Sequence, residues 1–551
     1  MWDCQGLAEA LSENGFRMFN LFGASVWPPN RQNPPWGDRK SIFEHIAEHI
    51  DPRYPVGLPE EGYRLPDEPP SDPGTLTYAP GMGDGAFGHH GSEPEVNERV
   101  AALHAALVAA CASASDRNVR SLYGLISNGS ALEVIDPLVG RILETQAPDA
   151  DRLREIARWF TTQAADREAV KISMALLGLL RGRDDSEVFL TLGRHDEFTL
   201  YAAVAVANNE AYGEEVLWAL ARSAEGWGRI GAVERLADTT SPEIKDWLLR
   251  DGFRNSIMHE YLACICARAG ELHRALEIEE IDAELFGAAV ELVDALISGE
   301  GGPAEGLGDY EHGCAAVKGL LARFEGRPSS PYHFWVLCRL RDRVGEHLSG
   351  EGRLKHDWTE PDAEAIVRRI DDLLAGRDWR GVIAGALNAG DRQEFWYASR
   401  AAGKLGIDPW PHFLARTKAG EEYWWDLMQT SDGDRIDKVL SLASESLDLD
   451  AIATGPGDHL GLGAAYASHR ALDFILQDLG GFPGKGWAFI EAGLQSPVVR
   501  NRNMALRALS AWGRANWPDE AERALLGSKD AEPESDVRRK IENVLAGRSL
   551  D

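Results

Sequence analysis

Apolar positions recur at helical spacing along most of the chain. From Asp149 to Gln163, Leu153, Ile156, Ala157 and Phe160 fall at i, i+3, i+4 and i+7, with Arg152, Arg154, Glu155 and Arg158 mostly around the other side. This pattern predicts an amphipathic helix that covers a core from outside. The next segment, Asp166 to Arg181, carries Val170, Ile172, Met174, Leu176, Leu177, Leu179 and Leu180 and keeps little polar face after its first turn. It predicts a helix buried between neighbours. Related pairs follow at Ile230 to Thr239 with Ser241 to Arg250, then Ser256 to Ala269, Asp282 to Ile297 and Ser496 to Trp512. The period is roughly 35 to 45 residues, as in a helical repeat array. No run alternates apolar and polar residues long enough to suggest a sheet.

The chain changes character near Val96. Residues 1–95 are dense in Pro and Gly, with Trp27-Pro28-Pro29, Asn33-Pro34-Pro35-Trp36 and the Gly81 to Gly91 cluster around one helix candidate, Lys40 to Ile50. We therefore expect an all-α fold in two parts: an irregular Pro/Gly-rich N-terminal cap over 1–95, and a helical repeat array over 96–551. Ser241-Pro242, Ser330-Pro331 and Ser496-Pro497 each read as an N-cap hydroxyl followed by Pro at the first helical position.

The segment Ser496-Pro497-Val498-Val499-Arg500-Asn501-Arg502-Asn503-Met504-Ala505-Leu506-Arg507-Ala508-Leu509 resembles the second half of a HEAT repeat, and 238–270 fits the same pattern more loosely. The resemblance implies a HEAT-like α-solenoid of stacked helix pairs. It implies a fold, not an activity. At the N-terminus, Phe22 to Pro29 and Ala79 to Gly85 resemble bacterial proteins labelled limonene hydroxylase. The chain has no flavin, haem or nicotinamide fingerprint to accompany that likeness, so no residue role is carried over from it.

Charge and composition then narrow the function. The 551 residues hold 57 Lys and Arg against 88 Asp and Glu, a formal charge of −31. That disfavours nucleic acid and anionic membrane surfaces as partners, because binding to them runs on excess Lys and Arg. A basic groove from Arg250, Arg254, Arg500, Arg502, Arg507 and Arg514, as in a HEAT-type base-excision glycosylase, is the weaker alternative. No apolar run reaches the length of a bilayer span, since Ala101 to Ala114 is short and broken by His104. The first residues lack a basic then apolar signal pattern, and the six cysteines are scattered, so a cytoplasmic protein with reduced thiols is expected.

Three groups of residues are candidates for chemistry. His45-Ile46-Ala47-Glu48-His49 matches H-x-x-E-H, where two His on one helical face hold Zn²⁺ and a Glu activates water. The Glu that such proteases add some 75 residues downstream is missing, because 116–131 contains none. With Asp84, His89 and His90 in the Gly-rich loop, these residues form a candidate metal set of His45, Glu48, His49, His89 and His90. Gly83-Asp84-Gly85-Ala86-Phe87-Gly88 satisfies G-x-G-x-x-G but lacks the strand and helix context of a dinucleotide site. Gly480 to Gly486 has the wrong spacing for a P-loop.

The second group is acidic. Residues 275–317 contain no Lys or Arg but eleven Asp and Glu, and Glu284, Glu291 and Asp294 share one side of a predicted helix. The third is aromatic, with 17 tryptophans, among them Trp27, Trp36, Trp396 and the adjacent Trp424 and Trp425. Neighbouring rings cannot share one helix face, so one of such a pair faces outward. The leading expectation is a helical-repeat interaction protein that binds a protein or peptide partner, of basic or mixed surface, on its concave face. The alternative is an enzyme with a metal- or cofactor-dependent site where the N-terminal Gly/His loop meets the first repeats. It requires His45, His49, Asp84, His89 or His90 to converge in one pocket. No cofactor is identified.

Overall fold

The computed structural model describes residues 33–69, 79–87, 94–180, 185–209, 212–300, 302 and 304–550. Among the described residues the regular structure is all helix, with short 3-10 turns, a π-helical turn at Leu248–Gly252 and no strand. An isolated parallel bridge joins His459 and Val498. No helix among them is long and apolar enough to cross a membrane.

The helices form where periodicity and caps agree. Asp149 caps Ala150–Gln163 by accepting from the Arg152 amide at 3.1 Å, and the buried side of that helix is Leu153, Ile156, Ala157 and Phe160. Asp282 does the same for Ala283–Gly299, accepting from the Leu285 amide at 2.7 Å. Arg167–Leu179 is buried along 169–178, as its apolar sequence predicts. Ser241 and Ser330 cap the Pro-led helices Pro242–Trp247 and Pro331–Ser349 by accepting from the Ile244 and His333 amides.

Two readings need correction. Pro497 does not open a helix: its carbonyl accepts from the His459 amide at 3.1 Å, Val499 N–H donates to the His459 carbonyl, and the helix begins at Val499. The extended bridge takes the backbone that a helical turn would have used. Arg154 is not on the solvent side but 7% exposed, because it forms an ion pair with the buried carboxylate of Asp185.

Ion pairs link segments some 30 to 50 residues apart. Arg154 meets Asp185 at 31 residues, Arg254 meets Glu291 at 37, Lys318 meets Asp362 and Arg369 meets Glu325 at 44, and Lys485 meets Asp437 at 48. The chain divides into two units. The first comprises the described residues before 329 together with 336–377; the second comprises 329–335 and 378–550. In the first, Asp196–Ala207 packs between Arg167–Leu179 and Gly226–Glu234. In the second, Ala467–Leu479 and Trp487–Leu494 pack on Val499–Trp512.

Candidate functional site

The helix Ile42–His49 carries the H-x-x-E-H residues, and each has a partner of its own. His45 Nε2 lies 3.2 Å from the Gly62 carbonyl, and His49 Nδ1 lies 2.7 Å from the His45 carbonyl one turn back. Glu48 pairs with Lys40 on the surface. The two rings are 4.4 Å apart between centroids. Burial and the neighbouring His49 charge lower the His45 pKa. No group of three or more metal-ligating side chains is assembled among the described residues. His89, His90 and Trp27 lie outside the described residues.

Asp84 sits in a buried ionic cluster. It belongs to the short helix Met82–Phe87, and its Oδ2 accepts from Lys171 Nζ at 2.6 Å. Lys171 also donates to Glu168 at 3.1 Å and Glu197 at 2.5 Å, while its side chain is only 3% exposed. Burial works against the ammonium, but the charges of Glu197, Asp84 and Glu168 outweigh it and hold its pKa above the ordinary value. Arg167, one turn earlier, binds Asp67 at 3.0 Å and Glu68 at 2.9 Å. Gly81 completes the clamp: its N–H donates to Glu197 Oε2 at 2.9 Å and its φ is +72°. A Cβ there would lie 2.5 Å from the Asp196 carbonyl oxygen, so only Gly fits.

Beside this cluster lie two groups with displaced titration. The His195 ring accepts from the Glu197 amide through Nδ1 and lies 3.1 Å from the Tyr63 carbonyl through Nε2. Burial lowers its pKa to about 4. Asp196 is raised to about 7 by burial, then by the charge of Glu225. Its Oδ1 is buried without a hydrogen-bond partner. Periodicity gave no hint of either, since both read as the polar start of a helix.

Most of the acidic run is paired with cations of the same chain. Asp282 binds Arg250 at 2.8 Å, and Glu284 lies 3.5 Å from the same guanidinium. Glu291 pairs with Arg254 at 2.9 Å, Asp294 with Arg339 and Glu300 with Arg343. Glu305 and Glu311 share Arg268, and Asp309 takes Lys355. The cations absent from 275–317 arrive from segments on either side. A groove of about 490 Å³ lined by Glu300, Arg339, Asp342, Arg343 and Glu346 runs beside these pairs.

The aromatics separate into two sets. Trp36 is buried against Tyr123 and Trp159, each 5.2 Å away, and Phe160. Trp424 is also core, at 5% exposure, whereas Trp396 is 43% exposed. Trp396 belongs to a strip in the second unit. Trp335 meets it at 6.4 Å and 71°, Tyr397 at 4.9 Å and 86°, and Tyr332 lies 4.5 Å from Tyr397. Arg400 bridges the Trp396 and Trp425 rings at 5.5 and 5.1 Å and pairs with Asp426 at 3.3 Å.

Trp335, Arg400 and Trp425 were missed as members of this strip, yet a signal existed. Three aromatic dipeptides, Phe334-Trp335, Phe395-Trp396 and Trp424-Trp425, each bury the first ring and leave the second partly or largely exposed. Comparison of the chain with protein-family models, with curated proteins and with solved structures finds no match.

Proposed function

We propose that the chain is an interaction protein, a HEAT-like stack of helix pairs that binds a protein or peptide partner. The observation that carries this reading is the aromatic strip around Trp396. A large apolar ring left 43% exposed among other aromatics and an Arg is the composition of a binding hot spot. Ion pairs at separations of 31 to 48 residues support stacked repeats. The hold of Lys171 on Asp84 and of Glu197 on the Gly81 N–H supports the role of the N-terminal segment as a cap that covers one end of the stack. In this reading the acidic run holds repeats together, and partner choice falls to the aromatic strip.

A photo-crosslinking amino acid placed at position 396, with Leu526 as an exposed control site, tests the reading in extract of the source cell. A discrete crosslinked protein from 396 and none from 526 is expected. No adduct at 396, or equal adducts from both, overturns it.

One observation favours an enzyme instead. Asp196 titrates near neutrality beside His195, as an acid–base group does. Elemental analysis of untagged protein purified without chelator, beside a His89→Ala/His90→Ala variant, separates the two. Near-stoichiometric zinc, iron or manganese that the variant loses would favour the enzyme.

A further inference from the structure

Two segments of the first unit meet through a pair of histidines that stand outside the candidate sites. His273 lies on the short helix Leu272–Ala275, and His312 is the N-cap of the helix Gly313–Ala322. Their rings stack 3.9 Å apart between centroids, at 31°. Tyr310, fully buried, fixes the state of one of them. Its hydroxyl donates to the Ala267 carbonyl at 3.2 Å, so the same oxygen accepts from the His273 amide at 3.4 Å and from His273 Nδ1 at 3.1 Å. Nδ1 therefore carries the proton in the neutral ring, and acid adds the next one at Nε2.

Charging both rings is opposed twice. Two cations stacked at this distance repel even in water, and more strongly where His273 is half-buried. A charge on His312 also faces the positive end of the helix that it caps. Burial, and then the His312 charge, lower the His273 pKa. The nearby carboxylates are already engaged: Glu271 with Lys245 at 2.9 Å, Glu311 with Arg268 at 3.0 Å, Asp309 with Lys355 at 2.5 Å, and Asp357 with the Cys314 and Ala315 amides at 3.2 Å. Glu277 attracts a charge on His273, and Arg274 repels it. The Cys264 thiol stays neutral, because burial pushes its pKa up to about 12.

We propose that the His273–His312 stack is an acid-sensitive clasp between Leu272–Ala275 and Gly313–Ala322, closed while no more than one ring is charged and opened when both are. The clasp holds one end of the segment 272–281. The other end is held by Arg323, which donates to the Glu279 carbonyl at 2.7 Å, and by Arg327, which donates to the Ile281 carbonyl. Guanidinium groups keep their charge throughout the range in which imidazoles titrate, so acid releases the histidine end alone. Release uncovers Leu272 and Leu276, both fully buried in the closed state. An imidazole whose pKa is lower in the closed form takes its proton more readily in the open one. Closure is therefore complete above the ordinary value of 6.5 and is lost as the pH falls below it. The clasp is independent of partner binding.

Hydrogen exchange of the full chain between about pH 7.5 and about pH 5 tests the clasp through the amides of 272–282, with Ala467–Leu479 of the second unit as internal reference. At equal pH the intrinsic rates cancel. Protection of this segment in His312→Gln, relative to wild type, should grow about ten-fold toward the acid end while the reference helix stays level. His273→Gln should show the same trend, because removing either ring removes the second charge. Both replacements keep a polar side chain, and circular dichroism at the neutral end confirms that each variant is folded. Glu277→Gln should keep the wild-type response. A ratio that stays constant with pH in either His variant overturns the proposal. A flat profile in Glu277→Gln assigns the response to that carboxylate and overturns it as well, and so does an equal change in the reference helix.

Discussion

Replacing Asp196 by Asn isolates the energetic cost of one buried carboxylate. In the fold its pKa stands at about 7 instead of the ordinary 3.8, because burial and the Glu225 charge oppose ionisation. Between these values the folded chain holds a proton that the unfolded chain has lost, so stability falls as pH rises through the window. Each pH unit is worth about 1.36 kcal/mol, so raising the pH from 5 to 8.5 costs the wild type about 3 kcal/mol through this group alone. The Asn variant has no such loss.

Hydrogen exchange of the amides in Asp196–Ala207 reads the local opening free energy without requiring all 551 residues to unfold in one step. At equal pH the intrinsic rates cancel, and the variant's protection relative to wild type should grow about a hundred-fold between pH 5 and 8.5, then level off. His195 carries the opposite dependence. Its pKa of about 4 means that the unfolded chain gains a proton first, so stability falls as pH drops below 6.5. In the wild type the two slopes oppose each other there; in Asp196→Asn the His195 fall stands alone. A ratio of protection that stays constant across the range refutes the argument, since it would mean that Asp196 ionises in the fold at no cost.

Lys171→Met leaves Asp84, Glu168 and Glu197 without their shared cation. It should destabilise the first unit by about 3–5 kcal/mol at pH 7, less at pH 5, with limited proteolysis cutting first near Gly81. Gly81→Ala places a Cβ 2.5 Å from the Asp196 carbonyl at a φ of +72° and should cost about 1–3 kcal/mol, measured by thermal melting. Arg502 and Glu532 form a pair with side chains 1% and 0% exposed. Arg502→Met should lose about 3–5 kcal/mol in urea denaturation, and Arg502→Met/Glu532→Met should recover much of that loss, because removing both charges leaves none buried alone. Equal losses in the single and double variants would refute this.

Much of the helical architecture was legible before any coordinates. The stripe Leu153, Ile156, Ala157 and Phe160, the largely apolar segment after Asp166 and the caps at Ser241 and Ser330 are local features. Local spacing and hydrogen bonding fix them whatever surrounds the helix. The candidate sites fared differently. Asp84 was singled out for its place in a Gly-rich loop, but its partner Lys171 lies 87 residues away on a helix whose sequence reads as plain core. The acidic run looked like an unmatched charge because its cations come from 250–268 and 339–355.

The sequence by itself thus determined most of the helical elements and the apolar side of each, properties of a few consecutive residues. Only the tertiary structure decided which charges meet, which carboxylate stays protonated near neutrality and which outward tryptophans join into one strip. Those outcomes depend on groups 30 to 90 residues apart being brought within a few ångströms, and on the burial that results.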